Sequence, residues 1–185
     1  MNKTKATGQS SYLKECLRDS YFSLLAQKQA GSISVSEIVK LAGVSRMSFY
    51  RYYQTKEELV KQYLTDSFND FIETVKKDQI KDSQETAAIF FSYFRSEKIR
   101  IKLIIEQDMF HLFYDSFTNF LQHSNLVIDS KPNISNKNLK YYYEYASAGI
   151  LNLAKSWVLG EMKESDQEMA QVLKAIKIAQ GEKYS

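Results

Sequence analysis

Cysteine, proline, glycine and histidine are all scarce in this chain, and each scarcity excludes something. A single cysteine, Cys16, forbids an intramolecular disulfide and suits a reducing cytoplasm. One proline and six glycines among 185 residues leave too little turn punctuation for a sandwich or a barrel. Two histidines give general acid–base chemistry few candidates. There is also no Gly-rich phosphate loop, no His-Glu-x-x-His and no nucleophile elbow. No window approaches the ~18 consecutive apolar residues of a membrane span. The stretch Met1 to Ser10 is polar and lacks the apolar run of a signal peptide. These absences lead to the expectation of a soluble, cytoplasmic, all-α protein without membrane contact, cofactor or enzymatic activity.

What is present is an uneven charge and a series of helical periodicities. Ten Lys and Arg stand against five Asp and Glu from Met1 to Gln62, a net of +5, which leaves −2 for the rest of a chain carrying +3. A basic head on a mildly acidic body suits phosphate binding, since each neutralised phosphate releases counterions. A solvated basic face would give the same count. Leu13, Leu17, Tyr21, Leu24 and Leu25 mark a first helix over about 11–28, with Cys16 beside the stripe as a small buried side chain. Ser34 and Glu37 read as a capping box opening a short second helix, with Ile38, Val39, Leu41 and Ala42 as its buried face. Gly43 suits its left-handed C-cap, Val44 plugs the junction, and Ser45 caps a third helix over 46–52. Thr55 to Glu58 reads as another capping box, opening a helix towards Lys77. Helices are then expected over 83–95, 97–105, 107–123, 138–159 and 166–179, with Ser83 and Ser165 as starts. Ser124 to Lys137, around Pro132, reads as a loop.

The second and third helices with their Gly-containing turn have the mechanics of a helix-turn-helix. One helix crosses the phosphate backbone, and the next offers its N-terminal side chains to the major groove. Phe49 and Tyr53, four apart, point inward together, which turns Arg46, Met47, Ser48 and Tyr50 outward. An aromatic surface beside Arg51 and Lys56 makes sense if tyrosine hydroxyls donate to phosphates. The run from Ala42 to Leu59, AGVSRMSFYRYYQTKEEL, closely resembles the signature of the TetR/AcrR family of bacterial regulators. That resemblance implies a three-helix DNA-binding head at 1–55 and a larger helical regulatory and dimerisation domain at 56–185. It further implies that Arg46, Met47 and Ser48 face base edges, Arg46 being placed to read guanine bidentately. Ser34, Ser36, Tyr50, Tyr52 and Lys56 would bind phosphates, with Ser45 and Arg51 in the same interface.

The remainder of the chain is read as interface and sensor. The segment from Leu139 to Gly160 is apolar on nearly all sides, so neighbours or a partner must cover it. Ile150, Trp157, Met169, Val172, Leu173 and Ile176 are the candidates for a two-fold interface formed by the last two helices; intrachain core is the other reading. This end is similar to the C-terminal domain of Gram-positive members of that family, those resembling the dihydroxyacetone-kinase regulator included. An aromatic-rich region holds Phe68, Phe91, Phe94, Met109, Phe110, Phe113, Tyr114, Phe117 and Tyr142. It encloses an inducer pocket for an unknown small molecule if it follows the family, and plain core if it does not. Asp108, His111 and Asp115 fall at i, i+3 and i+7, a spacing that a metal site and chance surface pairs share, and no metal is assigned. The resulting expectation is a dimeric transcription regulator on double-stranded operator DNA; the alternative is a coactivator that binds another protein and leaves DNA untouched.

Overall fold

The computed structural model describes residues 3–80, 82–124 and 135–181, with side-chain positions over 10–80, 82–124 and 135–176. Among the described residues the chain forms nine α-helices and no strand. They are α1 (Lys3–Leu25), α2 (Val35–Ala42), α3 (Arg46–Tyr50), α4 (Glu57–Lys77), α5 (Ser83–Ser96), α6 (Lys98–Glu106), α7 (Phe110–His123), α8 (Leu139–Leu159) and α9 (Asp166–Gly181). The all-α expectation holds, as does the order of the elements. The first helix starts earlier than its apolar stripe, at Lys3 rather than Ser11, because polar residues continue a helix without adding to its buried face. Pro132 and most of the expected loop around it lie outside the described residues.

Two of the expected starts use different atoms. Thr55 does not cap α4; Glu58 instead accepts a hydrogen bond from the Gln54 backbone N–H at 2.8 Å, closing the turn one residue earlier. At α5 the cap is Asp82, whose carboxylate accepts from Glu85 N–H at 2.8 Å, and Ser83 is the first helical residue. The box at α9 forms as expected, with Ser165 accepting from Glu168 N–H at 3.2 Å while the Glu168 carboxylate takes the Ser165 N–H at 2.7 Å.

The body is held by aromatic packing. Phe68 of α4 meets Phe113, Phe117 and Phe120 of α7 at ring separations of 5.8, 5.3 and 5.1 Å. Phe90 and Phe94 of α5 close the same cluster. Edge-on and offset pairs of this kind each add ~0.5–1.5 kcal/mol beyond their area. α9 packs along α5, and α8 lies against α7 and α6. The α8–α9 turn carries two non-glycine residues at positive φ, Glu161 at 64° and Met162 at 54°. It is pinned from both sides. Arg95 donates to the carbonyls of Met162 and Glu164, pairs with Asp166 at 2.7 Å and lies over the Trp157 ring, while Lys98 and Lys102 both reach Glu161.

The head rests on the body through α1, which packs on α2, α4 and α6. Leu17, Tyr21 and Leu25 are buried there, and Cys16 is half-buried. Among the described residues no helix is long and apolar enough to cross a membrane.

Candidate nucleic-acid interface

The geometry of the interface starts with the cap of α2. Ser34 Oγ accepts from Glu37 N–H at 3.3 Å, and the Glu37 carboxylate takes the Ser34 N–H at 2.9 Å, the reciprocal box read from the sequence. Lys28 pairs with the same carboxylate. That ammonium contact, with the Ser34 N–H and hydroxyl, holds the Glu37 carboxyl down to about 2. Ile38 and Val39 turn inward, but Leu41, expected in the buried face, is 53% exposed at the outer end of α2. Gly43 takes φ 67°, and the N–H of Val44 donates to Val39 O at 3.0 Å, so the chain reverses within two residues of the helix end.

Ser45 then caps α3, accepting from Ser48 N–H at 3.1 Å, and the two serine hydroxyls lie 2.9 Å apart. Phe49 is fully buried and Tyr53 nearly so, their rings 5.7 Å apart. That anchor fixes which way the rest of the short helix faces. Met47 is 76% exposed and Tyr50 50%, with Arg46 and Arg51 exposed beside them. Arg46 makes no ion pair with any described residue. Ser48 is half-buried, its hydroxyl already engaged by Ser45. Ser36, in the first turn of α2, is exposed.

Two of the candidate phosphate ligands have internal work. Lys56 donates its ammonium to the carbonyls of Ala30 and Ile33, the latter at 2.8 Å, and so holds the connection between α1 and α2. Tyr52 is half-buried with the Lys14 ammonium 5.4 Å from its ring centre. A hydrogen bond from Ser10, aided by Arg51, holds the Tyr52 hydroxyl below the usual phenol range, although burial opposes this. Lys40, which the motif did not single out, is exposed in the last turn of α2 and has no ion pair among the described residues. Only its place in the surplus of basic residues hinted at it.

The other candidate sites are rearranged more strongly. Phe91, Phe94, Met109, Phe113 and Phe117 are buried against one another, which makes the aromatic stripe core and not pocket. Phe110 stacks on Phe113 and lies under Lys155, Tyr114 donates to the Glu144 carbonyl at 3.2 Å, and Tyr142 sits edge-on to Tyr143. The space lies elsewhere, in a partly open groove of about 810 Å³ between α4 and α7, and of the expected lining only Phe68 borders it. Ile150, Trp157 and Met169 are buried within their own chain, Trp157 edge-on to Phe91 at 5.5 Å, so they have little surface left for a partner. Leu173 is half-buried against the same core, and Val172 and Ile176 remain exposed. Asp108 sits at φ 56° before α7 begins, so it does not share a helix face with His111 and Asp115. No group of three or more metal-ligating side chains comes together among the described residues.

Comparison with known proteins gives two family matches. Residues 22–63 match the family described as bacterial regulatory proteins, tetR family, and residues 81–177 match a transcriptional regulator C-terminal region of the same group. A curated relative, the uncharacterized HTH-type transcriptional regulator YxbF of Bacillus subtilis (strain 168), is 26% identical over 150 residues. Those residues are 76% of this chain and 38% of that protein, so the chain spans well under half of the relative's length. Among solved structures, a TetR transcriptional regulator from Streptococcus agalactiae 2603V superposes with a TM-score of 0.66 at 20% identity, covering 92% of this chain and 96% of the other. The dihydroxyacetone kinase operon activator DhaS gives 0.57 at 20% identity, covering 91% and 95%. At that identity the two structures speak to the fold.

Proposed function

The chain belongs to the TetR family of DNA-binding transcription regulators, and from that premise we propose that it is a homodimeric repressor reading a palindromic operator. In this reading residues 1–55 read the DNA and 56–185 dimerise and sense. The observation that carries it is the outward set on α3. Phe49 and Tyr53 anchor that helix so that Arg46, Met47 and Tyr50 project from the molecule, with Arg51 and Lys40 flanking them.

An uncommitted guanidinium at the N-terminal end of a protruding helix is the group that reads guanine O6 and N7 in the major groove. Two such helices, related by a two-fold axis, would enter grooves about 34–36 Å apart. Val172 and Ile176 of α9 are the apolar surface offered to the partner copy. A small molecule held by the body would shift the separation of the two heads by its differential affinity for the two arrangements.

The test is fluorescence anisotropy against DNA from upstream of the protein's own gene over a salt series. Arg46→Ala should weaken specific binding by about tenfold or more, in line with the ~1–3 kcal/mol of a bidentate base contact. Tyr50→Ala should weaken binding to all sequences alike. Salt-sensitive but non-specific binding, indifferent to both changes, would sink the reading and favour a coactivator that binds protein. Lys56 does not discriminate between the two, because its ammonium is spent on the Ala30 and Ile33 carbonyls.

A further inference from the structure

The groove between α4 and α7 has a definite chemistry, and we infer that it takes an organic anion with an extended or flat apolar body, its charged head seated between Lys76 and His123. This rests on the reading of the body as a sensor and names what is sensed. At about 810 Å³ the groove falls among cavities that hold drug-sized molecules, ~300–1,000 Å³. Along α4 its lining runs from Thr65 to Lys76, roughly 16 Å at the rise of an α-helix. Ile72 and Phe120, both half-buried, form the middle of the groove, with Phe68 beneath them, and are the surface on which an apolar body would lie.

The polar groups are not spread evenly. α4 and α7 run in the same direction, since Phe68 meets Phe117 while Phe71 meets Phe120. Lys76 and His123 therefore come at the same end; among the described residues they are the only basic side chains in the lining, and no carboxylate borders the groove. Both side chains have capacity to spare. Lys76 pairs with Glu73 at 3.0 Å, but both partners are largely exposed, and such pairs are readily exchanged. His123 Nδ1 lies 2.8 Å from the Asn119 carbonyl; that oxygen can only accept, so Nδ1 carries a proton, and Nε2, without a partner among the described residues, donates to an anion only once it takes up a proton of its own.

A further observation falls at the same end. Ser124 lines the groove, and its buried hydroxyl has no hydrogen-bond partner among the described residues. A buried polar atom left unmade is unfavourable unless something satisfies it, and an anionic head would. Asn69 and Asn119 border the groove nearer the head-proximal end, where they can take a second polar group on the ligand.

The test uses two fluorescent probes that differ by one group: 1-anilinonaphthalene-8-sulfonate and neutral 1-anilinonaphthalene. Titrated into the full chain, the sulfonate should saturate at one site per chain and bind at least about tenfold tighter than its neutral twin. Lys76→Met should remove most of that difference. Asn69→Trp, at an exposed lining position, should block both probes, with circular dichroism confirming that each variant is folded. Equal affinity for the two probes, or sulfonate binding that survives both substitutions unchanged, overturns the inference. Operator affinity measured with and without the sulfonate separates the two layers. Binding at this site without an effect on DNA leaves the anion site standing and removes ligand control. An effect on DNA that Lys76→Met leaves untouched does the reverse.

Discussion

Glu37 serves three partners at the start of α2, accepting from Lys28, from the Ser34 N–H and from the Ser34 hydroxyl. Its carboxyl titrates near 2 in the folded chain against an ordinary 4.5. Its contribution is therefore complete above pH 4.5 and is lost as the pH falls towards 2. Ser34→Ala should cost about 1 kcal/mol in a denaturant melt, the usual worth of an N-cap. Buried tyrosines set the opposite limit. Burial lifts the Tyr53 hydroxyl to about 12 and those of Tyr21 and Tyr63 further still. Below pH 10 these groups are neutral whether folded or not. Above it the unfolded chain ionises first, so stability falls as the pH climbs from 10 towards the folded values. Tyr21→Phe should be nearly silent at pH 7, because among the described residues its hydroxyl reaches only the Met109 sulfur at 4.0 Å, and should soften the loss of melting temperature between about pH 10 and 11.5. A wild-type melting temperature that is flat over that range would contradict the burial argument.

Among the elements, the α6–α7 junction carries a role that no motif announced. Gln107 accepts from Ala30 N–H at 2.8 Å and donates to the Leu25 carbonyl at 3.0 Å, with the Lys28 carbonyl at 3.4 Å. One side chain of the body thus satisfies the end of α1 and the start of the turn into α2, while Lys56 holds the same turn from the other side. Gln107→Leu should lower stability by about 1–3 kcal/mol, the cost of leaving such groups unpaired, and unchanged denaturation would show that water replaces them. The Ser34 box and the Gly43 reversal were legible in the sequence because each is closed by residues within five positions. Gln107 was not, since its partners lie 77–82 residues away. Thr55 shows the converse: the local pattern of a cap was present, yet Glu58 was drawn instead to the Gln54 N–H.

At the scale of the molecule, the proposed dimer rests on the exposed apolar positions of α9. Met169 and Leu173 face α5 and the core, so a charge at either would damage the fold before it tested an interface. Val172 and Ile176, 39% and 43% exposed, are the cleaner probes. Val172→Glu combined with Ile176→Glu should give a folded monomer in sedimentation velocity and lose operator binding, since each half-site alone is weak. A dimer that survives both charges would move the interface to another face.

The helical class, the order of the helices, the capped helix-turn-helix and the anchoring pair Phe49 and Tyr53 were all readable from the residues alone. All of these rest on spacings within a turn or two, where local geometry dictates the outcome. Which apolar residues are core and which border open space was settled by packing between distant helices. An aromatic stripe has the same spacing whether it packs on another helix or on a ligand, and only the facing element tells them apart. Phe113 and Phe117 of α7 fill the space beside Phe94 and Phe90 of α5, and the space beside Ile72 and Lys76 stays open. α9 packs on α5 with Met169 buried and Val172 bare, a difference set by which face of the helix meets its neighbour and not by any residue's hydrophobicity.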